Sequence, residues 1–227
     1  MTAFADALRL ILTGDTEVWS ITAVSLFVSL SALALATLAG VPLGYVLAHT
    51  RGSIGRFASS IVHTLTALPT VVVGLLLYFA LSASGPLGWM DLLYTRIAMI
   101  LGQTVLALPI VAALTLVAIQ RLPLPAFETA TTLGLGRAAR LAVLLTEAHT
   151  AIVSALLLAF ARVFTELGAA VILGGNIRGE TRTLTTVIAL EHTKGDDARA
   201  MALGLILMLI ALAVNAGVHS RWLRKTA

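Results

Sequence analysis

The chain has no cysteine, which removes disulfide staples, thiolate metal sites and cysteine nucleophiles together. Charge is scarce as well. Charged residues are 11% of the 227, against the ~25% of soluble domains, while hydrophobic residues reach 59%. That balance excludes a soluble globular domain and puts the chain in lipid. No dense basic tract occurs, so the net charge of +4 does not point to nucleic acid; the basic residues flank apolar spans instead. A Gly-x-x-x-x-Gly-Lys-Ser/Thr phosphate loop is missing too, so nothing here would cradle ATP phosphates, and energy must come from a partner or a gradient. Gly134-Leu-Gly136-Arg-Ala-Ala139 imitates part of a dinucleotide fingerprint, but without the strand of a βαβ unit it reads as a turn. The five histidines lack metal-ligand spacing, and no Ser/His/Asp arrangement can be argued, so no enzyme active site and no bound metal are expected.

What is present is a set of long apolar runs. About 20 apolar residues cross a hydrocarbon core of ~30 Å. Five segments qualify: within Val18 to Ala48, within Phe57 to Leu81, within Ile97 to Ile119, about Ala148 to Leu173, and Ala200 to Val218. Trp19, Trp89, Tyr94 and Trp222 fall near their ends, as interfacial aromatics do. Phe4, Leu8 and Ile11 recur at helical spacing, so residues 3 to 12 read as an amphipathic surface helix. No cleaved signal peptide is expected, because the first long run is flanked by Asp15 and Glu17 with no basic region before it. Pro42, Pro69 and Pro109 lie in or near spans one to three and are expected to kink them. Gly40, Gly44 and Ala48, and again Gly168, Ala169 and Ala170, would let helices approach closely.

Five spans put the termini on opposite sides. Lys and Arg are more numerous if the C-terminus is inside, with Arg51, Arg56, Arg121, Arg137 and Arg140 on that side beside the basic tail. The expected fold is therefore an all-α integral membrane protein of five transmembrane helices, N-terminus outside. It forms one transmembrane domain, 1–227, with external segments 1–17 and 174–199 and a cytoplasmic loop 120–147.

That loop is polar yet helix-capable. Pro123 and Pro125 can open a helix, Ala126 to Leu133 can form two turns, and Gly134 with Gly136 can end it; a second short helix, Arg137 to Leu145, then leads back to the membrane. A helix, a glycine turn and a helix on the wet side make a handle for a partner. Within the fourth span, Arg162 and Glu166 stand near the middle, where an unpaired charge costs at least ~2.5 kcal/mol. They must face protein or water, and their i to i+4 spacing sets them on one face. Together with Thr165 they read either as a pathway or gate, or as an ion pair fixing helix packing. The external run from Gly174 to Thr186 offers Asn176, Arg178 and Arg182 with the hydroxyls of Thr181, Thr183, Thr185 and Thr186. Such donors suit a tetrahedral dianion, or a surface that docks a binding protein.

Two segments carry a family resemblance. Glu128-Thr-Ala-Thr-Thr-Leu-Gly134 resembles the EAA loop of ABC-importer permeases, with Thr129 replacing the first Ala. In that loop the coupling helix sits in a cleft of a separate ATPase, which implies coupling roles for Phe127, Glu128, Ala130, Leu133, Gly134 and Arg137. Ala159-Phe-Ala-Arg162-Val-Phe-Thr-Glu166-Leu-Gly-Ala-Ala, followed by Gly174-Gly-Asn-Ile-Arg-Gly-Glu-Thr-Arg-Thr-Leu-Thr-Thr186, resembles the molybdate, sulfate and tungstate permeases. Arg178 after Asn-Ile, Thr185-Thr186, and Ile188-Ala-Leu-Glu191-His-Thr-Lys194-Gly look most like the tungstate type. The resemblance implies the MetI-like fold and a multi-pass homodimer in a bacterial or archaeal plasma membrane. It also implies two ABC ATPase subunits carrying ATP and Mg, and an extracytoplasmic solute-binding protein. The chain itself would hold no cofactor. The implied cargo is tungstate, with molybdate or sulfate as the nearest alternatives. A secondary transporter or channel gated by Arg162 and Glu166, and a membrane scaffold, are the competing classes.

Overall fold

A computed structural model of the chain describes residues 2–122 and 136–226, and the described residues are helical without strands. In order they form α1 (Thr2–Leu12), α2 (Thr16–His49), α3 (Gly52–Leu65), α4 (Thr70–Leu81) and, after a 3-10 turn at Gly88–Met90, α5 (Arg96–Gln120). Then follow α6 (Arg137–Phe164), α7 (Gly168–Gly174), α8 (Leu184–Lys194) and α9 (Asp197–Thr226). The helix starts are locally encoded. The Asp15 side chain accepts from Val18 N at 3.0 Å to open α2, and Thr95 accepts from Ala98 N at 3.3 Å to open α5. The amphipathic N-terminal helix is present as α1, packed on α9 with Ala7 fully buried.

Stretches of α2, α5, α6 and α9 are long and apolar enough to cross a membrane. The second expected span is not one helix: α3 and α4 meet at a bend of 95°, and only the pair taken together makes a fifth span. Pro69 is the physical reason. It stands just before α4 with extended backbone, it cannot donate to the preceding turn, and it pushes Leu68 away from helical geometry. By contrast α2 runs on through Pro42 and α5 through Pro109. The fourth expected span is also divided. Its helix, α6, begins at Arg137, so the short helix expected over 137–145 is continuous with it, and it stops at Phe164; residues 168–174 form the separate α7.

The register of packing gives the directions. Val28 meets Met99, Ala36 meets Ala107, and Leu47 meets Ala112 and Leu116, so α2 and α5 run parallel. They touch closely at the expected glycines. A Cβ on Gly44 would lie 2.5 Å from the Ala112 carbonyl oxygen, and one on Gly40 would lie 3.0 Å from Val111 Cβ. Helix α6 is antiparallel to α5, with Ile152 near Ile119 and Ala159 near Ala107. Phe160 and Phe164, stacked at 5.2 Å, join Val18 and Ile21 of α2, Leu184 and Val187 of α8, and Leu203 and Ile206 of α9. Hence α2, α5 and α9 begin on one face of the bundle, and α5 ends and α6 begins at the opposite face.

Candidate functional site: an arginine cluster at one mouth of the bundle

The loop between α7 and α8 is built by its own polar residues. Gly175 (φ 64) and Asn176 (φ 54) both adopt the left-handed conformation that ends α7, one free of a Cβ and the other among the residues that tolerate it. The Thr181 hydroxyl donates to the Gly174 carbonyl and accepts from Ile177 N at 2.9 Å. Thr183 and Thr186 form a capping box at the start of α8, and the Thr186 hydroxyl lies 2.9 Å from Asn176 Oδ1. Thr185 donates to the Glu166 carbonyl at 2.8 Å. All four threonines are buried. The hydroxyls and the amide expected to face an anion thus hold the loop in shape here, and the charged residues are what they present.

Arg178 and Arg182 converge on Glu17, in the first turn of α2. Arg178 Nη2 is 2.8 Å from Glu17 Oε2, and Arg182 Nη1 is 3.1 Å from Oε1. A third guanidinium joins them, with Arg199 Nη1, in the first turn of α9, 3.3 Å from Oε2. Side-chain exposure runs from 71% at Arg178 through 29% at Arg199 to 16% at Arg182, with Glu17 at 19%. Asp196 is 3.9 Å from Arg199 Nε, too far for a hydrogen bond. The Nε groups of Arg182 and Arg199 are buried without an acceptor. Beside the cluster lies a cleft of about 350 Å³ lined by Thr16, Glu17, Ser20, Ile21, Gly179 and the first two arginines. From the other side Arg96, at the start of α5, donates to the carbonyls of Glu180 at 2.7 Å and Gly179 at 3.0 Å, which fixes the loop. Three cations facing one full carboxylate leave positive potential at this mouth. Sequence reasoning found Arg178 and Arg182 but not Glu17 or Arg199. The only signal available was the acidic pair Asp15 and Glu17 opening a span whose own end of the bundle carries several arginines.

Arg162 and Glu166 do pair, Nη1 to Oε2 at 2.8 Å, but at the end of a helix rather than in the middle of one. Glu166 stands in the break between α6 and α7 and is 5% exposed, while Arg162 is 47% exposed. The other carboxylate oxygen accepts from Gly168 N at 2.8 Å and Ala169 N at 3.4 Å, the first amides of α7. Glu166 therefore caps α7, where a negative charge is favoured by the helix dipole. A Cβ on Gly168 would come 2.8 Å from Val71, so this cap sits against the start of α4, beside the Pro69 break. The Thr165 hydroxyl turns back to the Ala161 carbonyl at 2.9 Å. Of the coupling residues, Phe127, Glu128, Ala130, Leu133 and Gly134 lie outside the described residues, and Arg137 is the first residue of α6.

Residues 40–225 match the family model described as binding-protein-dependent transport system inner membrane component. The chain belongs to this permease family. Among its relatives, the tungstate uptake system permease protein of Peptoclostridium acidaminophilum is 36% identical over 217 residues, covering 96% of this chain and 95% of that one. The protein of the same description from Campylobacter jejuni is 41% identical over 216 residues, covering 95% and 90%. A solved chain of the MetNI methionine ABC transporter, described in inward-facing conformations, superposes with a TM-score of 0.68, covering 94% of this chain and 98% of that one. At 19% identity that likeness shows the fold alone, which is MetI-like, as expected. The permease is thus a multi-pass subunit of the inner membrane and of the ABC importer type.

Proposed function

We propose that this permease carries a tetrahedral oxyanion, tungstate first, for an ATP-driven importer in which a homodimer of the chain works with two ATPase subunits and a solute-binding protein. The observation that carries the reading is the three-arginine cluster on the face opposite the end of α5 and the start of α6, in a chain among whose relatives are proteins named for tungstate uptake. On this reading the arginine face is external, with the N-terminus, and receives the anion from the binding protein. The opposite face, with the C-terminus, is cytoplasmic and meets the ATPases through residues 120–147, and ATP and Mg are bound there by the partner. Arg178, Arg182 and Arg199 supply positive potential and forked donors to the dianion. Arg162 offers the remaining N–H groups of its half-exposed guanidinium to the pathway, while Glu166 positions α7 against α4. Tight retention would block conduction, so the permease holds its cargo weakly.

The test is reconstitution into liposomes with the partner ATPase and binding protein, followed by uptake of tungstate, molybdate and sulfate. ATP-dependent tungstate uptake is expected, with no ATP turnover by the chain alone. Turnover by the isolated chain, or flux without any ATPase, would overturn the importer assignment. Glu128→Arg and Gly134→Val should leave membrane insertion intact, weaken ATPase association and abolish uptake, Gly134→Val the more strongly because a β-branched residue resists a left-handed turn. Full uptake in both variants would remove the coupling role.

A further inference from the structure

Glu17 has a place in the arginine cluster that an ordinary ion pair does not explain. One carboxylate is shared among three guanidiniums from two elements, its two oxygens taking Arg178 and Arg182 of the loop after α7 and Arg199 of α9 at 2.8, 3.1 and 3.3 Å. Donors outnumber acceptors: the Nε groups of Arg182 and Arg199 are buried with nothing to bond. Charge is unbalanced in the same direction, since even with Asp196 at 3.9 Å the three cations exceed the acids beside them. A purely structural clamp would need one arginine for one carboxylate. The second and third add mutual repulsion unless something more highly charged than a carboxylate sits among them at some stage. A tetrahedral dianion brings twice the charge and four oxygens in place of two. The cleft of about 350 Å³ lies alongside, bordered by Glu17, Arg178 and Arg182.

We propose that the Glu17 carboxylate is a tethered stand-in for the oxyanion, held by Arg178, Arg182 and Arg199 when no oxyanion is bound and displaced when the dianion arrives. This rests on the oxyanion reading above and deepens it. Glu17 belongs to α2, Arg178 and Arg182 to the 175–183 loop, and Arg199 to α9, so displacement unties the charged start of α2 from the other two elements while the apolar packing of Val18 and Ile21 against Leu203 and Ile206 remains. The loop keeps its shape, because Arg96 holds the Gly179 and Glu180 carbonyls independently of Glu17. The built-in competitor also sets the affinity low. An anion that must displace a carboxylate covalently attached to the site leaves when that carboxylate returns, as conduction requires.

The test uses the permease dimer with its ATPase in nanodiscs, without the binding protein, and sodium tungstate as the probe. Bound tungsten is measured by equilibrium dialysis with elemental analysis. Glu17→Gln should bind tungstate about tenfold more tightly than the unmodified protein, the scale of losing one partly exposed charged competitor. Arg182→Gln combined with Arg199→Gln should bind it at least tenfold more weakly. Equal or weaker binding by a folded Glu17→Gln protein would overturn the proposal. Should Glu17→Gln fail to fold, the unmodified protein still decides. Saturating tungstate should slow phenylglyoxal modification of Arg178 and Arg199 severalfold, read by mass spectrometry, and absence of protection would overturn the proposal. ATP-driven uptake by the unmodified transporter, measured in parallel, separates the two levels. If no oxyanion is transported, the functional reading fails. If uptake is normal and Glu17→Gln affinity is unchanged, only the role of Glu17 falls.

Discussion

Two arginine–glutamate sites in this permease use the same chemistry to opposite ends. At the break between α6 and α7 the Glu166 carboxylate is saturated, one oxygen on Arg162 and the other on the Gly168 and Ala169 amides, and it is buried. At the mouth the Glu17 carboxylate is outnumbered, with three guanidiniums sharing it and two Nε groups left over. The difference shows why an acid beside an arginine is not by itself informative. A carboxylate whose acceptors match its donors belongs to the architecture, whereas a surplus of donors asks for a further anion. Burial sharpens the contrast: Glu166 is 5% exposed, so removing it leaves its donors stranded, whereas Glu17 is 19% exposed beside a cleft from which water or an anion can take its place.

The largest expected effect lies at the saturated site. Glu166→Ala strips the acceptor from two amides of α7 and should cost about 1–3 kcal/mol, the range for stranding buried donors. A thermal unfolding midpoint equal to that of the unmodified protein would break the comparison at once. Glu166→Gln keeps a side-chain carbonyl for those amides and should lose clearly less. At the mouth the order of effects reverses. Arg182→Gln with Arg199→Gln should cut tungstate uptake at least tenfold, while the unfolding midpoint moves little, since removing two of three cations that share one carboxylate also relieves their mutual repulsion and leaves Arg178 to pair with Glu17. A protein that unfolds early instead would turn the cluster into a clamp.

Arg162→Gln is expected to be intermediate. Its half-exposed charge contributes little to stability, so a severalfold fall in uptake with an unchanged midpoint would mark it as a pathway residue, and recovery of both in the double variant with Glu166→Gln would mark the pair as structural. The smallest effect should come from salt. Raising ionic strength shortens the Debye length, ~10 Å at 0.1 M, and should weaken anion capture at the partly exposed cluster while leaving the buried cap untouched. Equal salt sensitivity of uptake and unfolding would blur the two sites into one.

How much of this was legible depends on the range of the interactions. The runs behind α2, α5 and α9, the amphipathic α1 and the close packing at Gly40 and Gly44 follow from hydropathy and residue size, which are local. Pro69 announced a kink, but a proline sets where the helix breaks and not the 95° by which α3 and α4 turn. The break at Thr165 to Leu167 has no proline and lies in an apolar run. It exists because Glu166 supplies the acceptor that the amides two and three residues on need, a local bond that competes with its reading as half of an i to i+4 pair with Arg162. Thr181, Thr183, Thr185 and Thr186 read as outward donors because composition does not tell a solvated hydroxyl from one that closes a turn. Glu17 is separated by 161 residues from Arg178 and by 182 from Arg199, so nothing short of the fold could bring them together.

The measurement that bears most directly on the contrast is tungstate-dependent thermal stabilisation of the assembled permease in nanodiscs, with and without the paired Arg182→Gln and Arg199→Gln substitutions. A ligand bound only by the folded state adds about 2.7 kcal/mol at a hundred times its dissociation constant. If the arginine cluster receives the oxyanion, the unmodified protein should melt progressively higher as tungstate rises, and the doubly substituted protein should melt at a constant temperature. The same upward shift in both proteins, or no shift in either at millimolar tungstate, would contradict it.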